Sequence, residues 1–309
     1  MRKAIAVDIG GTKISWASIT DEYEILERRQ VATPQTAPEI FSEIEKIIDT
    51  EIESSTEIAG VGIGVAGMVD HEAGAIIAAP NLALSGQPLK RHLESKVKVK
   101  IAVDNDANLA VMGELYCGAG RGRKNFLGLT VGTGLGGGIV IDGRLYRGHK
   151  GAAAEFGHMI IDPGGTRCGC GRRGCLETKA SGTALERLAK EAVATKTEST
   201  LSRSVGGDPE IITGPNVALA ARAGDAEALA ILAEIGRWLG MGIGNLINIF
   251  DPEFVVLGGG VASSLDLVMD TISTEARAVS IDPRNEDTPI VISQLENAAG
   301  LLGAAALVF

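Results

Sequence analysis

The chain has 309 residues, 45% of them hydrophobic, with 41 glycines and a formal net charge of −10. That length predicts two domains rather than one core, and the acidic balance speaks against a nucleic-acid partner or an anionic membrane surface. The uncharged run from Trp238 to Phe250 falls short of the roughly 20 residues that span a bilayer, and MRKAIAVDIGG reads as the start of a strand rather than a cleavable signal, so the expectation is a soluble cytoplasmic protein.

Apolar runs predict strands at 3–8 (KAIAVD), 13–19 (KISWASI), 58–65 (IAGVGIGV) and 99–103 (VKIAV). Between the second and third of these, Ile40, Ile44, Ile47, Ile48 and Ile52 recur at helical spacing, and 108–116 reads as another helix. A second set follows, with strands at 126–131, 136–141, 254–257 and 290–293. Helices are expected at 181–195, 215–223, 226–249, 263–279 and 297–307. Strands alternate with helices, so the class is α/β.

The two halves echo one another. AIAVDIGGTKISWASI and FLGLTVGTGLGGGIVI are each strand, Gly/Thr turn, strand. Such a turn exposes backbone N–H groups that can hold phosphate oxygens. One hairpin per half predicts a duplicated fold that clamps a nucleotide in a cleft between domains.

Three glycine patterns compete for that nucleotide. Gly132-x-Gly134-x-x-Gly137 and Gly62-x-Gly64-x-x-Gly67 both satisfy a dinucleotide-binding pattern, but neither is followed by the helix whose N-terminus would face a pyrophosphate. The segment Asp8-Ile9-Gly10-Gly11-Thr12-Lys13 lacks Walker spacing. It reads either as a plain β-turn or as a phosphate hairpin with Asp8 near Mg²⁺ and Thr12 near phosphate oxygens. Its pairing with Gly132-Thr133-Gly134 favours the phosphate. Gly258-Gly259-Gly260 follows a strand and precedes a helix beginning near Ser263. Bare backbone there suits either an adenine and ribose or tight strand-on-helix packing.

Three of the four cysteines, Cys168, Cys170 and Cys175, fall in one glycine-rich window after His158. Three thiolates and an imidazole suit tetrahedral Zn²⁺. A disulfide fits less well, because Cys168 and Cys170 are too close to bridge comfortably and three thiols leave one unpaired. A closed donor set of this kind points to a structural metal. Glu155 and Glu177 stand at the edges of the window, so the metal would fix a loop that presents polar groups.

Together these pieces resemble the ROK family of repressors and sugar kinases, within the sugar kinase/actin/Hsp70 superfamily. The resemblance covers nearly the whole chain and rests most specifically on GHMIIDPGGTRCGCGRRGCLE at 157–177. DIGGTK, VDNDAN, AAEFGH and FDPEFVVLGGGV also match, in the family's order. The fold implied is a pair of actin-like (ribonuclease H-like) α/β domains, 1–115 with 297–309 and 116–296. The activity implied is ATP-dependent phosphorylation of a hexose, with Mg²⁺ accompanying ATP and a structural zinc. By the same resemblance Asp106 is the general base, Asn105, Glu155, His158 and Glu177 hold the sugar, and Gly67 and Asn81 are further contacts. A homodimer or homotetramer is implied as well.

Other readings of the same residues remain. Asp106 could cap the helix that follows it, whereas Asp104 is expected to point away, since one position along a strand or turn changes a side chain's direction. Glucose is the expected sugar, with an N-acetylmannosamine kinase as the alternative and polyphosphate as another donor. The glucokinases usually carry an aromatic residue before a Pro-Leu pair after Asn81, but here the run is NLALSGQPL. A repressor would carry a winged helix before the first hairpin, which starts at residue 8, so none is expected. A non-catalytic sugar sensor is the rival of another class, and the intact Asn105-Asp106 pair argues against it. His71, His92, His149 and Cys117 match nothing and are assigned to surface or packing.

Overall fold

The structure, a computed structural model, describes residues 2–53, 57–195, 199–284 and 288–309. Contacts gather the chain into two compact units, residues 1–124, 138–154 and 297–309 in the first and 125–137 with 155–296 in the second. Strand β9, below, begins in the second unit and ends in the first.

The first unit opens with β1 (Lys3–Ile9), β2 (Lys13–Thr20), β3 (Ile25–Ala32) and α1 (Ala37–Glu53). Next come β4 (Ile58–Val65), β5 (Met68–Asp70), β6 (Ala75–Ala78), α2 (Leu89–Glu94), β7 (Ile101–Asn105) and α3 (Asp106–Cys117). Its main sheet has the order β3-β2-β1-β4-β7, antiparallel through β3, β2 and β1 and parallel through β1, β4 and β7.

Period-two alternation gives the parallel strands two different faces. Ile5, Val7, Ile9, Val61, Ile63, Val65, Ile101 and Val103 form one core with Ile40, Ile44 and Ile48 of α1. The other face is small: Ala4, Ala6, Gly60 and Gly62. The smallness has a cause, because a Cβ on Gly62 would run into the Ala304 carbonyl. Ala304 belongs to the last helix (Ala299–Ala306), which lies flat on this face. Asp8, Gly64 and Asp104 fall in one register row across β1, β4 and β7, so this face carries two carboxylates at the carboxyl ends of its parallel strands.

The second unit starts with β8 (Phe126–Val131) and the first residues of β9 (Leu135–Ile141), while β10 (Arg144–Leu145) pairs with the end of β9 in the first unit. Two 3₁₀ turns, Phe156–His158 and Leu176–Thr178, bracket a long irregular loop. Then follow α4 (Gly182–Thr195), α5 (Thr200–Ser204), α6 (Gly214–Arg222), α7 (Ala226–Phe250), β11 (Phe254–Gly258), α8 (Ala262–Leu265), α9 (Met269–Val279) and β12 (Ile290–Ile292). The chain then returns to the first unit with α10, the Ala299–Ala306 helix. β8, β11 and β12 run parallel, with Phe254 opposite Phe126 and Val255 opposite Ile290. Among the described residues no helix is long and apolar enough to cross a membrane.

The single helix expected over 263–279 is instead α8 and α9, separated by a 3₁₀ turn at Asp266–Val268. The strand β3 was not expected at all. Its sequence ILERRQVA is exposed along almost its whole length, as an edge strand can be, and its charges hide the alternation.

Candidate functional site

In the first unit, β7 runs straight into α3, and the junction is the Asn105-Asp106 pair. Asn105 is the helix N-cap: its Oδ1 accepts from Asn108 N at 3.0 Å. The capping reading of Asp106 is therefore corrected by one residue, since Asp106 is the first residue of the helix. Asn105 Nδ2 donates to Gly67 O and to Asp106 Oδ1, each at 3.0 Å. Both amide hydrogens are thus committed, and one acceptor lone pair remains for a ligand.

Asp106 Oδ1 also accepts from Ala107 N at 2.9 Å. Burial, then repulsion from Asp8, pushes its carboxyl up to about 7, and those two hydrogen bonds only partly oppose the rise. Burial likewise raises Asp8, against the pull of Arg28 and Lys13. The two carboxylates therefore sense one another, as expected for a site built to meet positive charge.

Asp104 behaves differently. It is 1% exposed and accepts from Asn105 N at 2.8 Å, from Asn108 Nδ2 at 3.1 Å and from Arg147 Nε at 2.7 Å. It is buried, and its carboxylate is engaged by these bonds. Arg147 was missed in the sequence, where nothing local marks a residue so distant in the chain as the partner of Asp104.

The turn Gly10–Lys13 is held from below: Gly10 N donates to Lys13 O at 3.0 Å, and Thr33 Oγ1 donates to Gly10 O at 2.7 Å. Gly11 and Thr12 are exposed. Asn81 lies against Gly11, whose Cβ would come within 3.1 Å of the Asn81 carbonyl. Beyond Asn81, Ser85 Oγ accepts from Ala79 N at 2.9 Å and Leu84 is fully buried. The serine in NLALSGQPL thus closes its own loop, a bond that an aromatic residue there would not make.

In the second unit, the turn Gly132–Gly134 joins β8 to β9, with Gly132 N donating to Gly134 O at 3.0 Å. The Gly258–Gly260 turn packs beside it: Gly259 has φ +91°, and a Cβ there would meet the Val131 carbonyl. Val261 N donates to that same carbonyl at 2.9 Å. The start of α4 closes the cluster, with Gly182 N donating to Gly132 O at 2.7 Å and Thr183 Oγ1 to Thr133 O at 2.8 Å. The glycine turns expected to serve the nucleotide are therefore adjacent in this unit.

His158, Cys168, Cys170 and Cys175 converge, with their ligand atoms all within 4.8 Å of one another. A tight knuckle creates this: Cys168 N donates to Arg172 O at 2.8 Å, and Gly171, at φ +89°, turns the chain back. Cys168 Sγ lies 3.7 Å from His158 Nδ1, and Cys170 Sγ 3.6 Å from Cys175 Sγ. A tetrahedron built on Zn–S bonds of about 2.3 Å has edges of about 3.7 Å. Donor type and spacing therefore both fit zinc, bound through Nδ1. Nε2 of His158 is left facing Glu155 Oε2 at 3.9 Å. Glu155 is exposed and Glu177 half-buried. Lys179 ties the loop down, with an ion pair to Asp162 at 2.7 Å and its ammonium 4.7 Å over the Trp238 ring.

The remaining candidates stand apart from both clusters. His92 stacks on Phe41 and meets Glu45 Oε1 at 2.6 Å. Cys117 is half-buried rather than sealed in the core.

Two α/β units of this topology, each with a strand-turn-strand hairpin ahead of its parallel strands, have the actin-like ATPase fold. A ROK family glucokinase from Streptomyces griseus, solved with glucose and AMPPNP, superposes with a TM-score of 0.89 at 40% identity, covering 99% of each chain. The sequence profile of the ROK family spans residues 4–309, and the chain belongs to that family. It is 41% identical to a glucokinase of Streptomyces coelicolor over 99% of this chain and 98% of that one. It is 36% identical to a glucokinase of Thermotoga maritima over 99% of this chain and 97% of that one.

Proposed function

We propose that the chain is an ATP-dependent glucokinase, transferring the γ-phosphoryl group of ATP to the 6-hydroxyl of glucose. The observation that carries this is Asp106: a carboxylate lifted to about 7, fixed through Oδ1 at the start of α3 and one residue from an asparagine cap. Similarity to named glucokinases over nearly the full length supports the choice of sugar.

Phosphoryl transfer needs an in-line alcohol, charge compensation and an acceptor for the alcohol proton. Asp106 Oδ2 accepts that proton as the new O–P bond forms. A base near 7 is still far weaker than an alkoxide, so transfer is late rather than a pre-equilibrium. Asn105 orients Asp106 and offers its remaining lone pair to a sugar hydroxyl. Glu155, His158 Nε2 and Glu177 supply further acceptors and donors, which suit hydroxyls that both give and take hydrogen bonds. Gly67 and Asn81 border the sugar.

The turns Gly10–Lys13 and Gly132–Gly134 present backbone N–H groups to phosphate oxygens, and Gly258–Gly260 leaves bare backbone for the nucleoside. Mg²⁺ accompanying ATP would be held near Asp8 and would neutralise charge on the phosphates. His158, Cys168, Cys170 and Cys175 would hold zinc with four protein ligands, and such a metal would serve to fix the loop rather than to act on substrate.

The test is ³¹P and ¹³C NMR of a reaction of the purified protein with MgATP and glucose. ADP together with a phosphomonoester at C6 is the expected result; unchanged ATP would refute the assignment.

A further inference from the structure

Glu177 stands at the end of the metal-binding loop, two residues after Cys175, and its carboxylate makes two contacts in different directions. Oε2 accepts from the backbone N–H of Leu135 at 3.0 Å, and Oε1 lies 3.5 Å from Cys168 Sγ. Leu135 is the first residue of β9, directly after the Gly132–Gly134 turn. A second observation agrees on proximity: the Glu177 carboxylate lies directly against Gly134, in the space a Cβ there would take. Beyond Glu177 the chain reaches α4, whose first residues bond the Gly132 and Thr133 carbonyls. The metal loop, Glu177 and the Gly132–Gly134 turn are thus hydrogen-bonded into one continuous piece.

We propose that Glu177 is a positioning residue for the nucleotide hairpin, bracing the Gly132–Gly134 turn against the metal-binding loop. This deepens the kinase reading and rests on it for the nature of the ligand. The geometry separates the brace from a sugar contact. The carboxylate oxygen facing Leu135 N–H can be replaced by the carbonyl oxygen of a glutamine, whereas alanine offers no acceptor. An unpaired N–H at that point exposes the turn to local opening.

Hydrogen exchange of the peptide spanning 132–137 tests the brace with no substrate present. Glu177→Ala should speed exchange at Leu135 by about tenfold, the scale of one lost hydrogen bond, while Glu177→Gln should exchange like the parent. The nucleotide arm uses calorimetric titration with Mg·AMPPNP in the absence of sugar. Here Glu177→Ala should bind about tenfold more weakly and Glu177→Gln within about twofold. Zinc content measured on each variant reports whether the loop is intact. Exchange and nucleotide affinity in Glu177→Ala equal to the parent would overturn the brace and leave Glu177 a sugar contact only. An equal loss in Glu177→Gln would also overturn it, because the charge rather than the acceptor would then matter. A parent protein that binds no Mg·AMPPNP would count against the kinase reading, while the exchange result would still decide the brace.

Discussion

Arg147 donates from Nε to Asp104 Oδ2 at 2.7 Å, and the carboxylate it reaches is 1% exposed. Asp104 in turn holds the Asn105 N–H and the Asn108 amide. The ion pair therefore sits directly behind the Asn105-Asp106 junction and fixes the turn from β7 into α3. Removing one partner strands a buried charge, which costs about 3–5 kcal/mol. Arg147→Met should lower the denaturation free energy by that order and reduce kcat. The double variant Asp104→Asn with Arg147→Met should recover much of the stability. Urea titrations of the three proteins check this; additive losses would show that the pair is not coupled.

Asp106→Asn should abolish turnover, by a factor of at least about 10² for loss of a general base, and should also stabilise the fold in alkali. The raised pKa favours the folded chain while the group is protonated, in full below 3.8, and this contribution fades as pH rises through about 7. Above 7 the folded protein carries an ionised carboxylate at a cost, which asparagine removes. A shift of this size corresponds to about 4 kcal/mol. Solvent reaching the partly exposed side chain brings the expected gain at pH 8 to about 2 kcal/mol. Thermal melts at pH 8 and pH 4 test the sign: the variant should gain at the higher pH only.

The same group should set the acid limb of activity. Because the base must be ionised, kcat/KM should rise with pH up to a plateau, with its midpoint near 7. A midpoint near 4 would remove Asp106 from that limb.

Metal analysis should find one zinc per chain, in keeping with the single four-residue donor set found among the described residues. Cys170→Ser should lower zinc content and weaken sugar binding, since the knuckle fixes His158 and the approach to Glu177. Full zinc loading in Cys170→Ser would exclude Cys170 as a ligand.

Much of this was legible in the sequence where the signal is local. The strand-turn-strand hairpins, the convergent His158, Cys168, Cys170 and Cys175 and the Asn105-Asp106 pair each lie within a short window, and uninterrupted apolar runs marked β1, β4 and β8. Residues joined across the chain were not legible. Asp104 was expected to point away from the site, but its partner Arg147, from a loop after β10, left no local sign. The contact of Glu177 with Leu135 N–H leaves no trace in side-chain identity, because its donor is backbone. β3 escaped notice because an exposed edge strand has little apolar pattern to show. The N-cap was misplaced by one residue because Asn and Asp are equally good at that position.

The central claim is tested most directly by comparing kcat/KM, from coupled ADP release with MgATP, for glucose, mannose, fructose, N-acetylglucosamine and N-acetylmannosamine. The account predicts a clear preference for glucose, with turnover lost in Asp106→Asn. A preference for N-acetylmannosamine, or no ADP release with any of these sugars, would contradict it.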